Sequence, residues 1–265
     1  MNELFSIKGK IALVTGGTQG IGEAIVDGYL QAGARVAVNA RSQDKIDDFI
    51  ERHKAFEGAL QGFVADLRKE EDIVQMIQDV QDRMGHIDIL VNNAGIVKRI
   101  PTDSLPLSDW NAVMETNLTA PFLLCREVGA SMIQRKAGKI INICSLASEV
   151  AMPTLAAYAA TKGGVKMLTR ALTAEWAQHN IQVNGIGPGY IATPLNASYR
   201  LNDNPINDYI LARTPAQRWG EPGDLVGTAI FLASQASDFI NGQIIYVDGG
   251  YLSSFGKPYK RAPNE

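Results

Sequence analysis

Tyr158 and Lys162 stand four residues apart, and residues 15–22 read Thr-Gly-Gly-Thr-Gln-Gly-Ile-Gly. On a helix, a spacing of four puts two side chains on one face. A free phenol ionises only near pH 10. An ammonium about 4 Å away, at an effective dielectric near 20, favours the ionised form by up to about 4 kcal/mol. The pair is therefore suited to giving and taking a proton near neutrality. Gly16, Gly20 and Gly22 suit a different task. Without a Cβ, glycine backbone can turn tightly and lie close to a diphosphate, and the first free N–H groups of a helix attract its charge. The spacing differs from Gly-x-Gly-x-x-Gly, and no Gly-Lys-Ser/Thr follows, so it is not a P-loop.

These residues need elements to hold them. Apolar runs at 11–15, 35–39, 62–65, 87–92, 139–144, 182–185 and 243–247 read as strands. Between them, helices are predicted over 21–32, about 43–54, through Ile73, Ile77 and Val80, over 108–134 and over 155–179. Apolar strands alternating with helices imply a parallel sheet covered on both faces. The expected fold is one doubly wound α/β domain (Rossmann-like) with about seven strands. Residues 188–220 interrupt the alternation with prolines and glycines around a polar helix near 204–213, and they are expected to form a mobile lid. Residues 251–265 are a C-terminal extension.

With 46% hydrophobic residues among 265 and a formal net charge of -3, the chain can bury a large core and has no basic face for nucleic acid. No stretch approaches a membrane span, and the start has no apolar signal core. Cys125 and Cys144 lie in apolar surroundings without metal-ligand spacing, so buried thiols in a reducing compartment are expected. The protein is read as cytoplasmic and without a metal.

The glycine-rich turn, Asp66-Leu67, Asn92-Asn-Ala-Gly95, Tyr158-x-x-x-Lys162 and Gly187-Pro-Gly189 follow one another in the order seen in short-chain dehydrogenases/reductases. The resemblance runs from Lys10 to Gly250. It implies a nicotinamide-dependent oxidoreductase. It also implies that Thr18, Gln19, Ile21 and the three glycines form the phosphate cradle. Asp66 and Leu67 would lie at the adenine, and Asn93, Ala94 and Gly95 would support the nucleotide. Pro188, Gly189, Ile191 and Thr193 would flank the nicotinamide, and Lys162 would bind its ribose. From the residues alone, Asp66 is equally a helix cap. The family's serine stands thirteen residues before its tyrosine, which points to Ser145 over Ser148; the latter has a turn role as its alternative. Asn117 matches the fourth catalytic member. A mid-helix asparagine in an apolar segment otherwise makes poor helical sense.

An acid at the end of the second strand would chelate the ribose of NAD. This chain has Asn39-Ala-Arg41-Ser42 there, which offers a forked cation and a hydroxyl to a 2′-phosphate. NADP(H) is therefore expected over NAD(H), although an arginine there could equally be a solvated surface residue.

Further stretches, including 189–196, 213–216 and 218–220, resemble gluconate 5-dehydrogenases and related sugar-acid keto-reductases. A sugar carboxylate needs a cation, for which Arg99 is preferred over Lys98, Arg213 and Arg218. Tyr190 and Asn196 are candidates for the hydroxyls. The alternatives are a 3-oxoacyl-thioester reductase and a nucleotide-binding regulatory subunit on the same fold. By family analogy, a homo-oligomer, a tetramer, is expected.

Overall fold

The structure, a computed structural model, describes residues 3–201 and 204–255. Most of the C-terminal extension, residues 256–265, therefore lies outside the described residues, as do residues 1–2 and residues 202–203 of the excursion.

Seven strands form one parallel sheet in the order β3-β2-β1-β4-β5-β6-β7. They are β1 (Ile11–Thr15), β2 (Arg35–Ala40), β3 (Leu60–Val64), β4 (Ile89–Asn92), β5 (Gly138–Ile143), β6 (Ile181–Pro188) and β7 (Ile244–Val247). Residues alternate between two cores. Ala12 and Val14 of β1 face one, and Ile11 and Leu13 face the other. The first core is closed by α1 (Gly20–Gln31) and α2 (Gln43–Arg52), the second by α3 (Glu70–Met84). Covering both faces is why β1, β4 and β6 are buried along their whole length, and why β1 reads as an almost continuous apolar run.

The long helix expected over 108–134 is broken. It comprises α4 (Leu107–Met114), a π-helical turn (Glu115–Thr119) and α5 (Ala120–Arg135). Pro121 supplies a reason: it has no N–H to give the carbonyl four residues back, that of Asn117. The helix after β5 is α6 (Ala156–Trp176), which with α5 completes the second layer. After β6 the chain leaves the sheet through α7 (Pro205–Arg213) and returns through α8 (Val226–Ala233), which covers the first core. The sequence pattern did not reveal α8. Its eight residues are apolar almost throughout and show no helical stripe. β3 and β6 also extend beyond the predicted 62–65 and 182–185.

Tyr29 shows how the layers are tied. Its ring is fully buried on α1, and its hydroxyl donates to the Ala229 carbonyl of α8 at 3.0 Å. Burying a large side chain contributes about 1.5–3 kcal/mol, and here the one polar atom also finds a partner. Strand order reverses between β1 and β4, so a crevice opens at their carboxyl ends.

Candidate active site

The crevice is built by side chains that join strand ends. The Thr15 hydroxyl at the end of β1 accepts from Asn93 N at 3.0 Å and Ala94 N at 3.1 Å. The Asn93 amide returns the tie, donating to the carbonyls of Thr15 at 2.9 Å and Gly16 at 3.0 Å. Asn93 and Ala94 thus fix the glycine turn to β4. Gly16 and Gly20 have φ of 60° and 59°, a conformation costly for other residues. A Cβ on Gly22 would lie 2.5 Å from the Gly16 carbonyl oxygen, and one on Gly20 would lie 3.4 Å from the Thr193 methyl. This bare backbone at the start of α1 fits a dinucleotide phosphate pair. Gln19 precedes α1 without a side-chain cap. The side chains of Ile21 and Leu67 pack on the two cores, one on each.

Near the end of β2, Asn39 is buried, and its amide donates to the carbonyls of Phe63 and Ala65, each at 3.3 Å. Arg41 is exposed, and Ser42, the residue before α2, makes no side-chain cap bond. Asp66 does not cap α3, whose preceding residue is Lys69. It accepts instead from Arg68 N at 3.1 Å and pairs with the Arg68 guanidinium at 2.5 Å. Hydrogen bonding from Arg68 holds its carboxyl down at about 2.

The residues expected to transfer protons come from three neighbouring elements. Ser145 follows β5, and its Oγ accepts from Ala147 N at 3.1 Å. Tyr158 lies in the first turn of α6, with the Lys162 ammonium 5.7 Å from the centre of its ring. Lys162 is 5% exposed and donates to the Ile143 carbonyl at 2.6 Å. Asn117 sits in the π turn, where its side chain is used twice. Its Oδ1 accepts from Ile96 N and its Nδ2 donates to Ile96 O, both at 2.8 Å. Ser148 takes its turn role, donating to the Lys162 carbonyl at 2.9 Å. Thiol chemistry is far from reach at neutral pH, since burial pushes Cys125 up to about 12 and Cys144 up to about 11.

The substrate-side candidates separate. The Arg99 guanidinium lies 5.4 Å from the centre of the Tyr199 ring, on the segment that the Ile100 N–H ties to the Thr154 carbonyl at 3.0 Å. Lys98 pairs with Asp109 and Arg218 with Asp224, so their charges are already answered. Tyr190 donates its hydroxyl to the Met152 sulfur at 2.9 Å and packs against Trp219 and Tyr251. Asn196 shapes the loop carrying Ile191 and Thr193: its Oδ1 accepts from Thr193 N at 3.0 Å and one N–H of its Nδ2 donates to the Ile191 carbonyl at 2.7 Å, which leaves its second amide N–H for a ligand. Gly189 lies against Asp248, where a Cβ would come within 2.6 Å of its Cα. Pro188 ends β6. Sequence reasoning missed the tying roles of Thr15 and Asn39. Both lay inside motifs already singled out, but nothing in the spacing showed which way they point.

A family model described as short chain dehydrogenase matches residues 10–204. The chain belongs to that family. As a short-chain dehydrogenase it is an NAD(P)-dependent oxidoreductase acting on a small molecule. It is 49% identical over 257 residues to the 2-dehydro-3-deoxy-D-gluconate 5-dehydrogenase of Formosa agariphila, covering 97% of each chain. It is 43% identical to the 5-keto-D-gluconate 5-reductase of Escherichia coli K12, over 95% of this chain and 99% of that one. A crystal structure of a gluconate 5-dehydrogenase from Burkholderia cenocepacia in complex with NADP and tartrate is 45% identical. It superimposes with a TM-score of 0.91 over 95% of this chain and 98% of that one. Among the described residues, no helix is long and apolar enough to cross a membrane, and no group of three or more His, Cys, Asp or Glu could hold a metal.

Proposed function

We propose that this short-chain dehydrogenase interconverts a secondary alcohol and a ketone on a sugar acid of the gluconate or keto-deoxygluconate type, with NADP(H) preferred over NAD(H). The observation that carries the reaction is the Lys162 ammonium 5.7 Å from the centre of the Tyr158 ring on α6, anchored on the Ile143 carbonyl two residues before Ser145. The names of the relatives support the substrate class. An exposed Arg41 beside an uncommitted Ser42, with amide in place of acid at residue 39, supports the 2′-phosphate.

When bound, the nicotinamide supplies or takes up the hydride. In reduction, the Ser145 hydroxyl donates a hydrogen bond to the substrate carbonyl oxygen, and Tyr158 gives that oxygen its proton. The Lys162 ammonium stabilises the phenolate left behind and also serves the ribose hydroxyls. Asn117, locked to Ile96, keeps the π turn open beside Lys162 for the water of a proton relay. Arg99 is the cation for the carboxylate, and Tyr190 walls the sugar. Residues 188–220 act as the lid over one α/β domain, and the enzyme works as a cytoplasmic homo-tetramer.

The test is NADPH oxidation with 5-keto-D-gluconate, a 4-deoxy-5-keto-uronate and acetoacetyl-CoA, repeated with NADH. Turnover of a sugar acid, faster with NADPH, is expected. Turnover of the thioester alone would move the enzyme to 3-oxoacyl chemistry. NADPH binding without any turnover would make it a nucleotide-binding regulatory protein.

A further inference from the structure

In the mainly apolar layer behind the candidate site, a line of polar groups crosses from β4 to α6, and Asn92 Nδ2 at its start also donates to the Cys125 sulfur at 3.2 Å. Asn92 is 4% exposed, and Asn142 and Thr169 are fully buried. The donors run in one direction. Asn92 Nδ2 donates to Asn142 Oδ1 at 2.8 Å, and Asn142 Nδ2 to Thr169 Oγ1 at 2.9 Å. Thr169 Oγ1 in turn donates to the Val165 carbonyl at 2.9 Å. Each link orients the next, because reversing one amide would set two acceptors or two donors face to face.

The position of this line ties it to the chemistry. Thr169 follows Lys162 by seven residues, two helical turns along one face of α6. Asn142 immediately precedes Ile143, whose carbonyl accepts the Lys162 ammonium at 2.6 Å, and it stands three residues before Ser145. Adjacent residues of β5 therefore grip α6 at two points on one face. A methyl in place of the Thr169 hydroxyl would fill the same volume but remove the rotational stop. Core packing alone sets the height of a helix on a sheet better than its rotation, since aliphatic side chains have no preferred direction.

We infer that Asn142 and Thr169 are positioning residues that fix the rotation of α6 on β5, and with it the approach of Lys162 to Tyr158 and of Tyr158 to Ser145. The inference rests on the reading of Tyr158 and Lys162 as the proton-transfer pair. It implies that loss of the Thr169 hydroxyl weakens the support of Lys162 for the phenolate while leaving the glycine cradle untouched. Among the described groups facing the ammonium, Cys144 is the other titratable one. Burial pushes its thiol up to about 11, so it is neutral over most of the range tested.

The test needs no substrate in its first part. The near-ultraviolet phenolate band is titrated with NADP+ bound, for the enzyme minus its Tyr158→Phe variant, and again in the Thr169→Val background. The midpoint is expected to rise by about one pH unit in the valine background. Affinity for NADPH, read by fluorescence, should stay within about twofold, and Thr169→Ser should return the midpoint to that of the parent. With 5-keto-D-gluconate, kcat should fall about tenfold and KM for NADPH should hold. An unchanged midpoint and kcat in Thr169→Val would overturn the inference while leaving the proton-transfer pair intact. A collapse of NADPH binding, or no recovery with serine, would also overturn it by making Thr169 a general stability residue. A Tyr158→Phe enzyme with full turnover would remove the reading beneath it. If valine prevents folding, Thr169→Ala removes the hydroxyl without adding a methyl against Asn142 and reads the same quantities.

Discussion

At the scale of single residues, the site divides into groups committed to the scaffold and groups left to a ligand. Thr15, Asn93, Asn117 and Asn196 spend their polar atoms on backbone. Arg41 and Ser42 do not, and that difference is the basis of the proposed cofactor preference. Removing a guanidinium that meets a phosphate in a charge-assisted pair loses about 1.5–3 kcal/mol. Arg41→Ala is therefore expected to raise the KM for NADPH by about 10- to 100-fold while moving that for NADH by less than about threefold. Steady-state kinetics with both cofactors reads this directly, and equal changes would return Arg41 to the solvated surface. The residue types were legible in the sequence because the motif order left little freedom. Which of them were already satisfied was not, since hydrogen-bond partners such as Thr15 and Asn93 lie 78 positions apart.

At the scale of elements, two features position the chemistry. One is the packing of the first turn of α1 against the glycine turn. Gly22→Ala would gain about 1 kcal/mol in helix propensity. Its methyl, however, would stand 2.5 Å from the Gly16 oxygen and 2.4 Å from the Asn93 amide. Overpacking of this kind costs about 1–3 kcal/mol, so sterics decide the sign. The variant should melt lower and bind NADPH more weakly, as thermal unfolding with and without cofactor would show. A higher melting temperature with intact binding would mean that the turn relaxes. The other feature is the π turn at Asn117. A period-3.6 pattern ran straight through it, and the signs of a break were Pro121 and the ill-fitting Asn117 inside the predicted helix. The short helix α8 escaped for the opposite reason: an almost wholly apolar octamer has no face to detect.

At the scale of the whole molecule, the sheet order places the reversal between β1 and β4, and the site lies across the strand ends on that side. The excursion after β6 closes on itself where Ile191 pairs with Gly220, with Ala192 N donating to the Gly220 carbonyl at 2.7 Å. Its base is thus fixed, which suits a lid that moves at its far end. The outer faces of α5 and α6 expose Phe122 and Met167. Apolar groups on the two long helices fit the proposed tetramer. Light scattering of the purified protein should return four times the chain mass at micromolar concentration, and a monomer mass would sink that assembly.

The sequence by itself determined the family, the reaction class and the seven-stranded parallel architecture, and it named the residues proposed for proton transfer. Strand–helix periodicity encodes the architecture, and the resemblance of several motifs in fixed order to those of the family carries the rest. The tertiary structure alone decided which polar groups are free, where the long helix breaks, and that Asn92, Asn142 and Thr169 line up behind the site. Those facts depend on which side chains from β4, β5 and α6 meet across a closed core. No local pattern carries that information, since a buried hydrogen bond between residues 27 or 50 positions apart exists only once the layers have packed.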